Sequence, residues 1–452
     1  MFRHSQQTVP RPAAVVLWLG AAVALATSAL AADGALDPDW GGDGISDGVW
    51  ESNPRSAAVS SANQVLISGR MDQATTADFE YWVNLSSGSS TWYACSLFAP
   101  LLDNFDIRKI LLDSADNLVF AGTATVFGSE TVERAFVARI QPPLACALDT
   151  TFSGAGWEYF DDAPYCDTED CRLVDIEESA DATTRYIALL EAVQNVLISD
   201  YYLVGLTASG GLDPNFGSGG FAPVTAGNLG LLAGGGATLV VDASNRPYVL
   251  HSFYDPNANF DLDTALTRFQ SDGDLDTSFG TAGSRFFASL DSEDTVARAL
   301  AIGSDGRIGL AWRSIDGNSS TVMAYEPVSG ATAGSVVAAR EIRALAFDGL
   351  GRLLSASDVL GGDGLEIGRR IVVFNSTLSP DPVFGVAGVR FVDIDNGGGN
   401  TETPVDLQLP AGQPMVLAET DSEAGGKEAV LVRLENSLIF ADGFEWGSTK
   451  FW

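Results

Sequence analysis

The chain has 452 residues, with 59 acidic against 25 basic side chains, a net charge of −34 and a hydrophobic share of 46%. Affinity for a polyanion comes from lysine and arginine, and only three lysines are present (Lys109, Lys427 and Lys450), so nucleic acid is excluded as an expected partner. The apolar share argues against disorder, and the length exceeds what one hydrophobic core usually fills, so several domains or a modular array must share it.

Arg3 and Arg11 stand before or within the start of an apolar stretch that runs from Ala13 to Ala26 and closes on Ala29-Leu30-Ala31. This pattern predicts a secretory signal peptide over residues 1–31, cleaved before Ala32, with an uncleaved anchor as the alternative. No later stretch reaches the ~18 apolar residues needed to span a bilayer. The mature chain is therefore expected to be exported, to an extracellular, periplasmic or cell-surface location, as a monomer.

Four cysteines follow, Cys95, Cys146, Cys166 and Cys171. An even number in an oxidising compartment predicts two disulfides, with Cys166–Cys171 and Cys95–Cys146 preferred among the three connectivities because the first pair shares one short acidic loop. Zinc is disfavoured, since CxxC spacing and a nearby histidine are both missing.

From residue 61 onward the chain repeats itself. A turn followed by a β-rich run recurs at Asn63-Gln64-Val65, Asp116-Asn117-Leu118, Thr184-Arg185-Tyr186, Asn245-Arg246-Pro247-Tyr248, Gly306-Arg307-Ile308, Gly351-Arg352-Leu353 and Gln413-Pro414-Met415. The starts Val65, Leu118, Tyr186, Tyr248, Ile308, Leu353 and Met415 lie about 58 residues apart on average, within the range of units that stack or close into a ring. Short β-branched or aromatic runs flank each turn, so about three strands per unit are legible.

A second signature closes several units: Leu148-Asp149-Thr150-Thr151-Phe152, Leu212-Asp213-Pro214-Asn215-Phe216-Gly217, Leu275-Asp276-Thr277-Ser278-Phe279-Gly280 and, diverged, Asp381-Pro382-Val383-Phe384-Gly385. It reads as a turn in which the aspartate caps backbone amides, the ring plugs the core and glycines take positive φ. The run Leu266-Thr267-Arg268-Phe269 through Gly283 resembles the delta-60 repeat of bacterial exported proteins, which is similar to propeller-forming repeats. That resemblance implies an architecture and supplies no catalytic residues.

The expected fold is an all-β β-propeller of seven blades over residues 32–440, followed by a C-terminal tail, 441–452. Leu36-Asp37-Pro38-Asp39-Trp40 is the end of a repeat that lacks a beginning, and the last unit has a beginning without that end. The segment around Trp40 to Val49 is therefore expected to dock beside Val430–Leu434 and close the ring.

Chemical motifs are sparse. With His4 in the signal peptide, only His251 remains, so a multi-histidine metal site or a histidine relay has no residues to build it, and His251 itself reads as a packed strand residue. Gly44-Ile45-Ser46-Asp47-Gly48 matches a nucleophile-elbow pattern but lacks its strand-to-helix context. Calcium is the one cofactor with candidate ligands, at Asp37, Asp39 and Asp43, at Asp272, Asp274 and Asp276, and at Asp393 and Asp395, although a turn-forming role explains each of these. The tail motif Asp442-Gly443-Phe444-Glu445 resembles one on exported Gram-negative proteins. The favoured function is a non-enzymatic binding or scaffold propeller with a protein, glycan or cell-envelope partner; the alternative is a hydrolase or lyase using channel carboxylates, with calcium.

Overall fold

The computed structural model describes residues 35–37, 45, 52–61, 65–71, 79–84, 90–95, 102–127, 131–140, 147–160, 170–195, 198–225, 233–255, 261–287, 294–315, 319–328, 330–338, 341–358, 365–371, 378–394, 402–421 and 427–435. Apart from one short 3-10 turn at Pro410–Gly412, their regular structure is β.

The strands fall in chain order into antiparallel sets. The first set is β1 (Ser52–Val59), β2 (Val65–Met71), β3 (Phe79–Asn84) and β4 (Ser90–Cys95); the second is β5 (Leu102–Leu112), β6 (Leu118–Phe127), β7 (Thr131–Ile140) and β8 (Trp157–Tyr159). Next come β9 (Asp170–Glu178), β10 (Tyr186–Asn195), β11 (Ile198–Leu206) and β12 (Phe221–Pro223), then β13 (Ala233–Val241), β14 (Pro247–Asp255), β15 (Asp261–Arg268) and β16 (Ser284–Phe287). After these are β17 (Thr295–Ile302), β18 (Ile308–Ser314), β19 (Ser320–Glu326) and β20 (Ala331–Ala338). β21 (Ile342–Phe347), β22 (Leu353–Asp358), β23 (Leu365–Ile371), β24 (Ser379–Pro380) and β25 (Val389–Val392) precede the last set, β26 (Thr403–Gln408), β27 (Met415–Asp421) and β28 (Lys427–Arg433). All seven second strands expected from the turn motif form, six at the expected residue and β14 one residue early.

The expectation of seven blades needs correction, because among the described residues the hydrogen-bonded sheets number six. One sheet has eight strands: β9–β12 and β13–β16 are joined through a single pairing of Ser199 in β11 with Ala233 in β13. The physical reason is a break in the register of β13 opposite β14 between Ala233 and Ala237: beyond it Ala233 still pairs with Phe253 of β14 and on its other side meets Ser199 of β11.

The turns between first and second strands follow from one side chain. Asp113 Oδ1 accepts the amides of Ala115 and Asn117 (both 2.9 Å), and Asp242 and Asp348 do the same for Ser244 with Arg246 and for Leu350 with Arg352. The turn also needs one left-handed residue, supplied by Asp116 (φ 58°), Asn245 (φ 61°) and Gly351 (φ 71°), the residue types that tolerate it.

Alternation along the strands puts apolar residues on both faces, so each set buries side chains against the set before and the set after. Leu66 packs with Phe120 and Phe136; Val137 and Phe152 with Tyr186 and Val204; Leu203 and Phe216 with Val249 and Phe269. Leu250 and Phe279 then pack with Ile308 and Trp312, Ala311 and Val322 with Leu345 and Leu353, and Leu354 and Phe384 with Val416 and Val432. The last cluster joins Met415, Leu417 and Leu431 to Ala57, Val65 and Ile67, so the final set packs on the first. The first strands β1, β5, β9, β13, β17, β21 and β26 accordingly contact one another in a closed cycle.

The chain ends meet as expected. Leu36 bridges Leu434 and Ile45 bridges Val432, both antiparallel, while Asp37 N–H donates to Arg433 O (3.1 Å) and Glu435 N–H to Ala35 O (2.7 Å). Asp37 fills the position that aspartate holds in the internal repeats. Asp149, Asp213 and Asp276 donate their amides to Arg139, Gly205 and Arg268 in the same way (2.8, 2.9 and 3.0 Å). In three of the four copies an arginine then clamps the carboxylate: Nε to Oδ2 is 2.8 Å for Arg139–Asp149, 2.8 Å for Arg268–Asp276 and 2.6 Å for Arg433–Asp37. Where Gly205 replaces the arginine, Thr184 Oγ1 serves Asp213 instead (2.6 Å), and a Cβ at Gly205 would lie 2.4 Å from the Phe216 ring.

Candidate functional site around the axis

The first strands line the axis, and most carry an irregularity there. The pairing with the second strand skips one residue at Arg55, Arg108, Val174, Arg298, Arg343 and Val405. A bulged residue leaves the ladder and re-aims its side chain, so four of these six positions place an arginine beside the axis.

Around Lys109 three carboxylates gather. Its Nζ lies 3.4 Å from Asp175 Oδ1 and 3.5 Å from Glu177 Oε1, and Asp406 adds to the same field. Burial works against the Lys109 charge, but the three carboxylates outweigh it and hold the ammonium above its ordinary range. The Glu177 carboxyl is pushed up to about 7, first by burial and then by Asp175 and Asp406, with Lys109 opposing.

Asp175 and Asp406 also pin neighbouring sets together. Asp175 Oδ2 accepts from Leu239 N–H (3.0 Å) and Thr238 Oγ1 (3.1 Å), and Asp406 Oδ2 accepts from Ala57 N–H (2.9 Å). Hydroxyls do this at other junctions: Ser56 for Ile110 N–H (3.3 Å), Thr123 for Leu173 (3.1 Å), Ser252 for Ala297 (2.8 Å) and Ser320 for Ile342 (3.0 Å).

On a second arc of the axis Glu341 is the hub. Arg298 Nε, Arg313 Nη1 and Arg343 Nη2 lie 2.8, 2.9 and 3.2 Å from its carboxylate, and Arg343 also reaches Asp358 (3.3 Å). Burial and the like charges of Arg313 and Arg343 pull the Arg298 guanidinium below its ordinary value, against Glu341.

The sequence-predicted ligands are dispersed. Asp37 is buried and held by Arg433 and by Gln413 Nε2 (3.2 Å). Asp276 is held by Arg268 and by Ser278 Oγ (2.5 Å), whereas Asp272 accepts the amide of Asp274 (3.1 Å) in a turn, and both of those are exposed. Asp393 is half-buried, and Asp39, Asp43 and Asp395 lie outside the described residues. Among the described residues no three His, Cys, Asp or Glu side chains are grouped so that they could hold a metal ion. Asp272 and Asp276 each turn an oxygen to their own turn, and Asp37 and Asp276 each turn one to an arginine.

His251 is fully buried in β14, with Nε2 3.0 Å from Thr267 Oγ1, and burial pulls it down to about 4. Of the nucleophile-like run only Ile45 is described, and it bridges a strand. Cys171 is buried in β9 and disulfide-bonded, while the side chains of Cys95, Cys146 and Cys166 lie outside the described residues, as do the segments 1–31 and 441–452. No described helix is long and apolar enough to cross a membrane.

Lys109, Glu177 and Glu341 escaped the sequence-level reasoning. A signal existed for the arginines, because Arg298-Ala299-Leu300-Ala301 and Arg343-Ala344-Leu345-Ala346 are identical four-residue runs at the same place in their repeats.

Strand order, the cycle of first strands and the shared clusters define the class: an all-β β-propeller. No family model matches the chain, and no curated protein matches it either. Among solved structures it is similar to a glucose dehydrogenase (TM-score 0.42, 12% identity, covering 87% of this chain and 99% of that one). It is similar also to the β-propeller domain of a Myceliophteria thermophila protein (0.46, 9%, 86% and 98%) and to a Neurospora crassa WD40 domain (0.44, 8%, 84% and 90%). At such identities nothing about activity transfers.

Proposed function

We propose that this chain is an exported seven-module propeller that acts by binding, holding a protein, glycan or cell-envelope component against the loops of one face, with no nucleic-acid partner. The observation that carries this reading is the pairing of the axial polar groups with one another. Asp175 and Asp406 are bonded to amides of neighbouring sets, and Glu341 is shared by three arginines. Side chains so engaged stiffen a scaffold and are not free to turn over a substrate. Counting seven modules rests on the cycle of seven first strands, the eight-stranded sheet being two modules joined at one residue pair.

The delta-60 resemblance and the leader over residues 1–31 support export as a monomer, and the reading carries the disulfides Cys166–Cys171 and Cys95–Cys146 with it. Sedimentation of the purified mature chain with isolated cell envelopes tests the proposal: saturable co-sedimentation is expected, and its absence at high protein excess refutes it. N-terminal sequencing should begin at Ala32, and non-reducing peptide mapping should return those two pairs.

A second reading, a hydrolase or lyase using channel carboxylates, is favoured by one feature. Glu177 beside Lys109 titrates near neutrality, as a general acid or base must. Turnover of an acidic polysaccharide that is lost in Glu177→Gln would establish it over the binding reading. Calcium dependence would appear as a fall in thermal midpoint on adding chelator.

A further inference from the structure

Away from the axis, a pocket of about 200 Å³ opens between the outer strand β16 of one set and strands β18–β20 of the next. Its floor is rigid: Phe287 and Trp312, both buried, stack with centroids 5.3 Å apart at 23°. Phe286, the neighbour of Phe287 in β16, turns its ring to the other face of the sheet, where Phe253 meets it edge-on at 5.6 Å.

Arg285 shares the pocket face of β16 with Phe287. It lies over the Tyr325 ring at 5.3 Å and, among the described residues, has no carboxylate partner, in a chain with 59 acidic residues. The arginines at the axis and in the closing turns are by contrast paired with carboxylates. Opposite, the hydroxyls of Thr332 and Ser335 line the pocket and make no hydrogen bond to the described residues.

We propose that this pocket binds a single six-membered sugar ring bearing a carboxylate, that is, a uronic acid unit. Its volume is below the roughly 300–1,000 Å³ of sites that enclose drug-sized ligands, so one ring fits and an oligomer does not. The apolar face of a pyranose packs on the floor made by Phe287 and Trp312, the carboxylate takes the paired donors of the Arg285 guanidinium, and the ring hydroxyls reach Thr332 and Ser335. An aromatic carboxylate would meet the ring and the charge but leave both hydroxyls desolvated and unpaired, which disfavours it. The site is separate from the axial clusters and stands independently of the binding reading above.

Ligand-observed NMR titration of the full mature chain with glucuronate, glucose, the methyl ester of glucuronate and benzoate tests the assignment. Glucuronate should bind with a Kd of about 1 mM, the range open to about a dozen non-hydrogen atoms. Glucose and the ester should bind at least about tenfold more weakly, because each lacks the charge that Arg285 pairs with. Arg285→Gln should weaken glucuronate to the level of glucose without moving the thermal midpoint, Arg285→Lys should retain part of the affinity, and Ser335→Ala should cost several-fold. Absence of saturable glucuronate binding, equal binding of glucose, benzoate binding as tightly as glucuronate, or indifference to both Arg285→Gln and Ser335→Ala would each overturn the proposal.

Discussion

Replacing Asp37 by asparagine tests whether the ring closes through a borrowed copy of the repeat's own turn. Asp37 and Arg433 are 396 positions apart, yet their side chains are only 3% and 14% exposed, comparable with 2% and 10% for Asp149–Arg139 within one repeat. Removing one charge from a buried pair strands the other, at a cost of 3–5 kcal/mol in general. Asparagine keeps the shape and one acceptor oxygen, so about 3 kcal/mol is expected. Unfolding entropy of ~2.1 cal/mol/K per residue over a body this large converts that to roughly 3–4 °C in thermal midpoint.

Scanning calorimetry of Asp37→Asn beside Asp149→Asn and Asp276→Asn supplies an internal standard, because all three change the same clamp. Comparable losses are expected, with Asp37→Asn also exposing the last set to limited proteolysis at β28. The exchange Asp37→Arg with Arg433→Asp should recover part of the loss. An Asp37→Asn protein as stable and protease-resistant as wild type, while the other two variants lose stability, would refute closure through this contact.

Other outcomes follow from single residues. A folded-state value of about 4 against 6.5 for an ordinary histidine means the folded chain refuses a proton that the unfolded chain accepts. His251 therefore withdraws up to about 3 kcal/mol of stability as pH falls from 6.5 toward 4, and His251→Gln should flatten that part of a plot of thermal midpoint against pH. Glu177 has the opposite sign, since a folded-state value raised to about 7 makes stability fall as pH rises from about 4.5 through 7. Glu177→Gln should raise the midpoint at pH 8 by the equivalent of about 1–2 kcal/mol, the partial exposure of the group having been discounted, and change little at pH 4. Gly280 sits at φ 55° with a hypothetical Cβ 2.2 Å from Ser284 O, so Gly280→Ala should cost at least about 1–3 kcal/mol in denaturant unfolding; Gly306→Ala, at φ 81° in open space, should cost less.

The sequence by itself determined the modules, because the devices that start and end strands are local. An aspartate that caps its own i+2 and i+4 amides, as Asp113 does, needs no distant partner, so the second strands were legible to within a residue. Ring closure was legible for a related reason: an orphaned Leu36-Asp37 at one end and a missing turn at the other are complementary fragments of one local motif. At Asp272, Asp274 and Asp276 the sequence allowed both a turn and a cation site, because spacing along a chain does not say where oxygens point; in the structure Asp272 accepts the amide of Asp274, and Asp276 is held by Arg268 and Ser278.

Only the tertiary structure decided what faces the axis. Lys109, Asp175, Glu177 and Asp406 come from three separate repeats, and no local pattern marks them as neighbours. A one-residue slip in six of the seven first strands sets which side chains leave the ladder, and that slip is a property of two paired strands rather than of either sequence alone. The same holds for the pocket at Arg285, whose walls belong to two adjacent sheets, and for the fusion at Ser199 and Ala233 that makes six sheets from seven strand sets. Strand-forming physics acts over a few residues, whereas charge and cavity are set by which surfaces packing brings face to face.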